Sequence, residues 1–368
     1  KRQVKLNSFF ILCYTFLENK FKEVVMYPET LRLIEEKMQG GVFPGTVLRF
    51  IEGEKEETKV LGSAQIEPTM IAMQEDMLFD VASLTKVVCT TTVMLKLKEA
   101  GKLSWDQTLH ELLPEFQNET ITLRHLLTHT SDIQTYIPNR DQLNAEELRK
   151  AYLTLQPGDQ LGKTVKYTDA GTILLGFLIE AIYQKDVVDV FKEEVLQPLD
   201  MTDSRFLPQP PYDNIVPTQR LADGTILKGL THDPKARILA SHAGNAGLFT
   251  NMKDLSKFAK MYLNLGRVSD IIYLHDKTVQ ELLYDQTPTG KGKRSIGWDL
   301  KFSPLDQAPL LFHTGYTGTF LLLDVVKKSA FIFLSNRVHT EDHRVSYVSH
   351  RDEILTCYLN ERAKNYQK

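Results

Sequence analysis

Cysteine is scarce in this chain of 368 residues: there are three, Cys13, Cys89 and Cys357. An odd, sparse set excludes a disulfide framework, and none stands in the C-x-x-C spacing of a zinc site. Cys89 lies in an apolar helical run and reads as a small buried residue. An excess of one charge is also lacking. Forty-four Lys and Arg against forty-seven Asp and Glu leave a formal net charge of −3. That gives no electrostatic footprint for nucleic acid or an anionic membrane. Long hydrophobic runs are absent too. The apolar patch in "KRQVKLNSFFILCYTFLENK", Phe9 to Leu17, is too short to span a bilayer. It also lacks the small-residue cleavage pattern of a secretory signal. Residues 1–26 are therefore expected to be an extension outside the folded core. No membrane association is expected. The location is expected to be cytoplasmic, with a cell-surface or extracellular one as the alternative. No internal repeat and no low-complexity linker interrupts the rest.

What is present is ordinary globular material. Charged residues make up 25% and hydrophobic residues 42%, and the length suits one elaborate domain or two. We expect one, residues 27–368. "PETLRLIEEKM" has helical periodicity, and Gly40 and Gly41 break it. "GTVLRFIEGEKEETKVLGSAQ" reads as a hairpin with a charged turn. From about residue 105 to 265 successive helical segments alternate with prolines and glycines. After "TPTGKGKRS" the stretches "IGWDLKF", "LFHTGYTGTFLLLDV" and "SAFIFLSNRV" read as three strands, and "SYVSHRDEILTCYLNERAKNY" as a closing helix. Strands near both ends with helices between imply an α+β architecture. The two ends would meet in one antiparallel sheet flanked by terminal helices, with a helical subdomain at about 105–265.

The chemistry begins in "FDVASLTKVVCTTTVMLKLKEAGKL". Ser83 and Lys86 are three residues apart at the start of a helical segment, so they share a face. A helix N-terminus stabilises an anion on a serine oxygen. A free hydroxyl is a weak nucleophile and needs a base. An ordinary lysine, with pKa about 10.4, is protonated and cannot serve; burial or a nearby cation would change that. Further on, "KYTDAG" puts Tyr167 and Asp169 before an apolar helix, and "LFHTGYTGTFLL" puts His313, Thr314, Gly315 and Tyr316 on a strand with a glycine turn.

Ser-x-x-Lys, Tyr-x-Asp and His-Thr-Gly, in that order, resemble the serine β-lactamase and penicillin-binding-protein superfamily. The resemblance is to the class C branch, which also holds esterases and D-peptidases. It covers roughly Tyr27 to the C-terminus and includes "LRHLLTHTSDI", "HDPKARILASHAGNAGLFTNMKDLSKF" and "LSNRV". It implies a β-lactamase-like fold and an acyl-serine mechanism with neither metal nor organic cofactor. Ser83 would be the nucleophile and Lys86 the base in acylation. Tyr167 would relay protons and activate water. The strand from His313 would flank a small-molecule or peptide substrate. The amides of Ser83 and Tyr316 would form the oxyanion hole.

Two departures from the class C pattern bear on the substrate. Those lactamases carry lysine where this chain has His313, and a neutral histidine binds a carboxylate less well. They carry asparagine where this chain has Asp169, which cannot donate to a substrate carbonyl when ionised. Its charge would also favour a protonated Lys86, so the Ser83 proton would leave through Tyr167. The implied function is hydrolysis of small esters or D-amino-acid peptides, with weak β-lactam turnover admitted. The alternative is a penicillin- or cell-wall-peptide-binding protein that is acylated and barely turns over.

Duller readings stand beside these. Ser83 and Asp169 could each cap a helix, and Tyr167 and His313 could be core residues with satisfied polar ends. His125 and His129 read as structural. The pair His339 and His343 has the i,i+4 spacing of a metal-binding helix but sits in a polar stretch. "TGKGKRSIG" reads as a solvated turn at the rim of the site, since it does not join a strand to a helix as a phosphate loop must.

Overall fold

Two residues, Val25 and Met26, lead into the folded body and pack on its aromatic core. The computed structural model describes residues 25–367; the rest of the expected extension, residues 1–24, lies outside the described residues. Helix α1 (Pro28–Gln39) starts with proline, whose fixed φ suits the first helical turn. Its orphan amides are not capped locally. Glu361, near the other end of the chain, accepts from Glu29 N at 2.8 Å and from Thr30 N at 2.8 Å. One carboxylate thereby satisfies two donors at the positive end of the helix.

The expected hairpin forms as β1 (Gly45–Glu52) and β2 (Lys55–Gln65), and a short β3 (Ile71–Ala72) adds to its edge. The C-terminal strands are four rather than three: β4 (Asp299–Phe302), β5 (Pro309–Gly315), β6 (Thr319–Asp324) and β7 (Ser329–Ser335). The stretch expected as one strand is cut at Gly318, whose φ of 111° reverses the chain. The sheet order is β3-β2-β1-β7-β6-β5-β4, and every pair within it is antiparallel. Thr46 stands opposite Ser335, so the two ends of the chain do meet.

Both faces of the sheet are buried, and residues alternate between two cores as the pleat requires. Leu48, Phe50, Phe312, Phe320, Phe331 and Phe333 turn to α1 and the closing helix, α6 below, in an aromatic cluster with Tyr27 and Tyr358. Val47, Ile51, Leu311, Leu321, Ile332 and Leu334 turn to the larger core shared with the helical region. Fully burying one such side chain stabilises by roughly 1.5–3 kcal/mol, before entropy is subtracted.

The helical region supplies α2 (Thr92–Glu99), α3 (Ala170–Tyr183), α4 (Pro234–Leu239) and α5 (Met252–Leu263), and α6 (Arg344–Tyr366) closes the chain. Helix α5 packs on β1, β6 and β7 from the side opposite α1 and α6. On α6, Arg362 is buried between Asp324 at 2.9 Å and Glu52 at 3.0 Å, tying that helix to β6 and β1. Among the described residues no helix is long and apolar enough to cross a membrane.

Candidate active site

The turn that presents Ser83 is held from both sides. Phe79 and Asp80 pair with Phe249 and Thr250 in a two-residue ladder. The buried Asp80 accepts from Ala82 N at 2.8 Å and from His232 N at 2.6 Å. Ala82 has φ 46°, an uncommon conformation for a residue with a Cβ. This kink takes the chain out of the ladder and leaves Ser83 half-buried while Leu84 and Thr85 are buried. Lys86–Thr91 then form a wide π-helical turn, a feature often found at functional sites, which runs into α2. The Ser83 hydroxyl is not spent capping this helix. It accepts from Lys86 Nζ at 2.7 Å.

Lys86 is 1% exposed and all three of its N–H donors find acceptors. They are Ser83 Oγ, the Asn245 carbonyl at 2.9 Å and Asp169 Oδ1 at 2.8 Å. Burial alone would depress the lysine. The Asp169 carboxylate, then the Tyr167 oxygen, outweigh it and raise the ammonium above its ordinary range. Asp169 does occupy the N-cap position of α3, but its side chain makes no capping bond. Its second oxygen meets Lys235 Nζ at 3.1 Å, and Lys235 also donates to Asp233 at 2.8 Å. Burial would raise the Asp169 carboxyl; the Lys86 and Lys235 ammoniums overcome that and hold it well below the usual range. Four alternating charges thus run from α4 to the serine.

Tyr167 lies three residues before α3 and is half exposed. Its ring packs on His129 with centroids 4.4 Å apart and faces His313 at 6.1 Å. Lys86 Nζ lies 5.4 Å from the ring centroid and the Arg294 guanidinium 5.9 Å. His313 is buried on β5, and its Nδ1 is 3.1 Å from the Thr314 carbonyl. A carbonyl only accepts, so Nδ1 carries the proton and Nε2, buried without a partner among the described residues, presents a lone pair. Burial, then the Arg294 charge, hold both His129 and His313 well below the usual imidazole range. Both are neutral at pH 7.

This pair makes a stability prediction. A histidine depressed in the folded state binds its proton more readily when unfolded. The stability is intact above the unfolded value of about 6.5 and is lost as pH falls from there. The melting temperature should drop between pH 7.5 and pH 5, and drop less in His313→Gln, as read by calorimetry. An unchanged slope in that variant would exclude His313 as a source.

The strand wall is fixed to the serine turn. Thr317 Oγ1 donates to the Asp80 carbonyl at 2.7 Å and Thr319 Oγ1 to the Val81 carbonyl at 3.3 Å. A Cβ on Gly315 would stand 2.2 Å from both the Val81 oxygen and Thr319 Oγ1, so only glycine lets β5 approach the residues before Ser83. Gly315→Ala should cost roughly 1–3 kcal/mol by overpacking, seen as a melting-temperature drop. It should also slow acylation of Ser83 by a fluorophosphonate; a variant as stable and as fast as the native chain would refute the contact. Beyond it, Tyr316 stacks on His232 at 5.4 Å, its ring lies under Arg337 at 4.6 Å and Arg344 at 5.3 Å, and its hydroxyl binds Asp342. Among the described residues the amides of Ser83 and Tyr316 are not used in turn or loop hydrogen bonds to backbone carbonyls. They remain available as donors.

Two cavities meet at Ser83, Tyr167, Tyr316 and Arg344. One, of about 390 Å³, runs over Asp169, His232 and Lys235. The other, of about 290 Å³, runs past Thr314 and Gly315 to Arg294, Arg337 and Arg351. Arg337 pairs with Asp342, Arg294 with Asp299, and Arg351 with Asp352. Arg344 lies on the Tyr316 ring and is the wall arginine that pairs with no carboxylate among the described residues.

All eight residues singled out from the sequence thus gather around this site. His339 and His343 do not. His339 is buried between Ile66 N and the Thr218 carbonyl, and His343 sits before α6 rather than on a helix face with it. Several neighbours went unnoticed: Lys235, Asn245, Arg344, Arg294 of the supposed solvated turn, and His129 as the floor under Tyr167. For Lys235 the signal was Asp233-Pro234, which marks a helix start and so places the lysine in its first turn.

The Beta-lactamase family model matches residues 31–353. The chain is 28% identical over 310 residues to an Escherichia coli (strain K12) protein named "Putative D-alanyl-D-alanine carboxypeptidase", covering 72% of this chain and 70% of that one. It is 26% identical over 358 residues to the N-acetylmuramyl-L-alanine amidase of Bacillus subtilis (strain 168), covering 84% and 80%. Among solved structures, a class C beta-lactamase superposes with TM-score 0.73 at 20% identity over 92% of this chain and 98% of that one. A hydrolase with promiscuous acyltransferase activity superposes with TM-score 0.70 at 18% identity over 89% and 97%. The family model runs from Leu31 on α1 to Glu353 on α6 and takes in the whole sheet and the serine site, and the chain belongs to the β-lactamase family of serine hydrolases.

Proposed function

We propose that this protein cleaves peptides ending in D-amino acids, and small esters, through a covalent ester on Ser83. The observation that carries the reading is the 2.7 Å contact between Ser83 Oγ and a buried Lys86 whose other donors are fixed on Asn245 and Asp169. That ammonium steadies an oxyanion on Ser83 but has no lone pair to take a proton. The base is then Tyr167, on the same cavity wall.

In acylation Ser83 Oγ attacks the substrate carbonyl and its proton passes to a Tyr167 phenolate. The new C–O bond sends the carbonyl electron pair to oxygen, where the amides of Ser83 and Tyr316 hold it. Collapse breaks the bond to the leaving amine or alkoxide, which takes the proton from Tyr167. Water next gives a proton to Tyr167 and attacks the ester, and Ser83 leaves reprotonated. A lost oxyanion donor typically costs about 3 kcal/mol of transition-state stabilisation.

The wall arginines favour a substrate with a carboxylate, because Arg344 offers a guanidinium that no carboxylate among the described residues neutralises. A C-terminal D-residue supplies that group and a plain ester does not. The name of the Escherichia coli relative points the same way. A neutral His313 in place of a lysine argues for slow β-lactam turnover.

Intact-protein mass spectrometry tests the reading. A fluorophosphonate should add once, on Ser83, and penicillin should give a transient adduct. An N-acyl-D-alanyl-D-alanine peptide should release D-alanine. A penicillin adduct that never clears, with no peptide turnover, would replace this reading with that of an acylated binding protein.

A further inference from the structure

An ionised carboxylate at position 169 leaves the site without the donor that an asparagine there would aim at a substrate carbonyl. Lys235 stands beside that gap. It enters from the first turn of α4, where Asp233 caps the helix by accepting from Ala236 N at 2.8 Å and Pro234 follows in the first turn. This places Lys235 Nζ against both Asp233 Oδ2 at 2.8 Å and Asp169 Oδ2 at 3.1 Å. Two of its three N–H donors are thereby accounted for. The third has no acceptor among the described residues, and Lys235 lines the same 390 Å³ cavity as Ser83 and Tyr167.

We infer that Lys235 is a substrate-binding residue: its third N–H donates to the acylamino carbonyl of an N-acyl-amino-acid substrate. The inference rests on the acyl-serine reading above and names a group of the substrate that the site recognises. Asp169 and Lys235 together then do what one asparagine amide does elsewhere. Asp169 orients the lysine, and the lysine supplies the hydrogen. The same geometry explains why an aspartate is tolerated beside the nucleophile. Lys86 on Oδ1 and Lys235 on Oδ2 match its charge from both sides, and Asp233 balances the second lysine.

The test uses two p-nitrophenyl esters that differ by one group, the N-acetyl-D-alanine ester and the propionate ester. Both share a leaving group, but only the first carries the acylamino carbonyl. In Lys235→Met the ratio of kcat/KM values, first substrate over second, should fall on the order of 10- to 100-fold, the worth of a hydrogen bond to a charged group. Asp169→Asn/Lys235→Met should recover most of that ratio, because the carboxamide restores a donor toward the substrate carbonyl. The double variant also decides the matter if the single one fails to fold. An equal loss on both esters in Lys235→Met, or a ratio still depressed tenfold in the double variant, would overturn the assignment. Fluorophosphonate labelling of Ser83 in every variant separates this outcome from failure of the hydrolase reading. A native chain that does not label fails at Ser83, whereas one that labels with an unmoved ratio fails at Lys235.

Discussion

Ser83→Ala is expected to lower turnover of a D-peptide or an activated ester by at least about 10⁴-fold and to abolish fluorophosphonate labelling. The reaction path loses its covalent intermediate, the ester on Ser83. Tyr167 serves as the base on this path and Lys86 presents an ammonium. The substitution removes one oxygen from a half-buried position and leaves the Asp80 bonds that hold the turn untouched. The fold should therefore persist, and the melting temperature should stay within a few degrees of native. What activity remains would come from the Ser83 and Tyr316 amides acting on bound substrate. Steady-state kinetics beside intact mass measures both arms. Labelling that survives in this variant would place the nucleophile elsewhere and end the proposed mechanism.

Lys86→Met has the second-largest expected effect, and it falls on both rate and stability. Methionine fills much of the lysine's volume but cannot meet the Asn245 carbonyl, the Ser83 oxygen or Asp169 Oδ1. A buried acceptor left without its donor costs about 1–3 kcal/mol. Asp169 keeps Lys235, so the loss should lie below that of a fully isolated charge. Catalysis should fall on the order of 10³-fold, because a preorganised charge at the developing oxyanion is removed. Lys86→Arg separates the two ways the residue could work. If Lys86 acts as a cation, arginine keeps a part of the rate and the basic limb of the pH–rate profile stays where it was. If Lys86 must donate a lone pair, arginine is as inactive as methionine, for a guanidinium does not deprotonate in this range.

The parts legible in the sequence were those with a local signature. Ser83 and Lys86 sit one helical turn apart. Tyr167 precedes an apolar helix, and His313 to Tyr316 lie on a strand cut by a glycine turn. Alternation along the terminal strands carried the idea of one sheet built from both ends. What stayed hidden depends on contacts that cross the fold. Lys235 is close to Asp169 only because α4 and α3 converge, and nothing in "HDPKARIL" says which way the lysine points. Arg294 looked solvated among glycines and lysines, yet it is buried beneath Tyr167. From the sequence Asp169 reads equally as a cap, because its position before α3 is a capping position. Only the two lysines reveal that its oxygens are engaged elsewhere.

The sheet also says something about how this protein must be made. β1 emerges from the ribosome long before β7, one of its two neighbours, with Thr46 opposite Ser335. The amides that begin α1 wait for Glu361. Until β7 and α6 have been made, an apolar strand edge and an unfinished helix have no native mate, a state that invites aggregation and favours chaperone capture. Nascent chains stalled before β7 should stay protease-sensitive from α1 onward, and release past Glu361 should protect α1, β1, β7 and α6 in a single step.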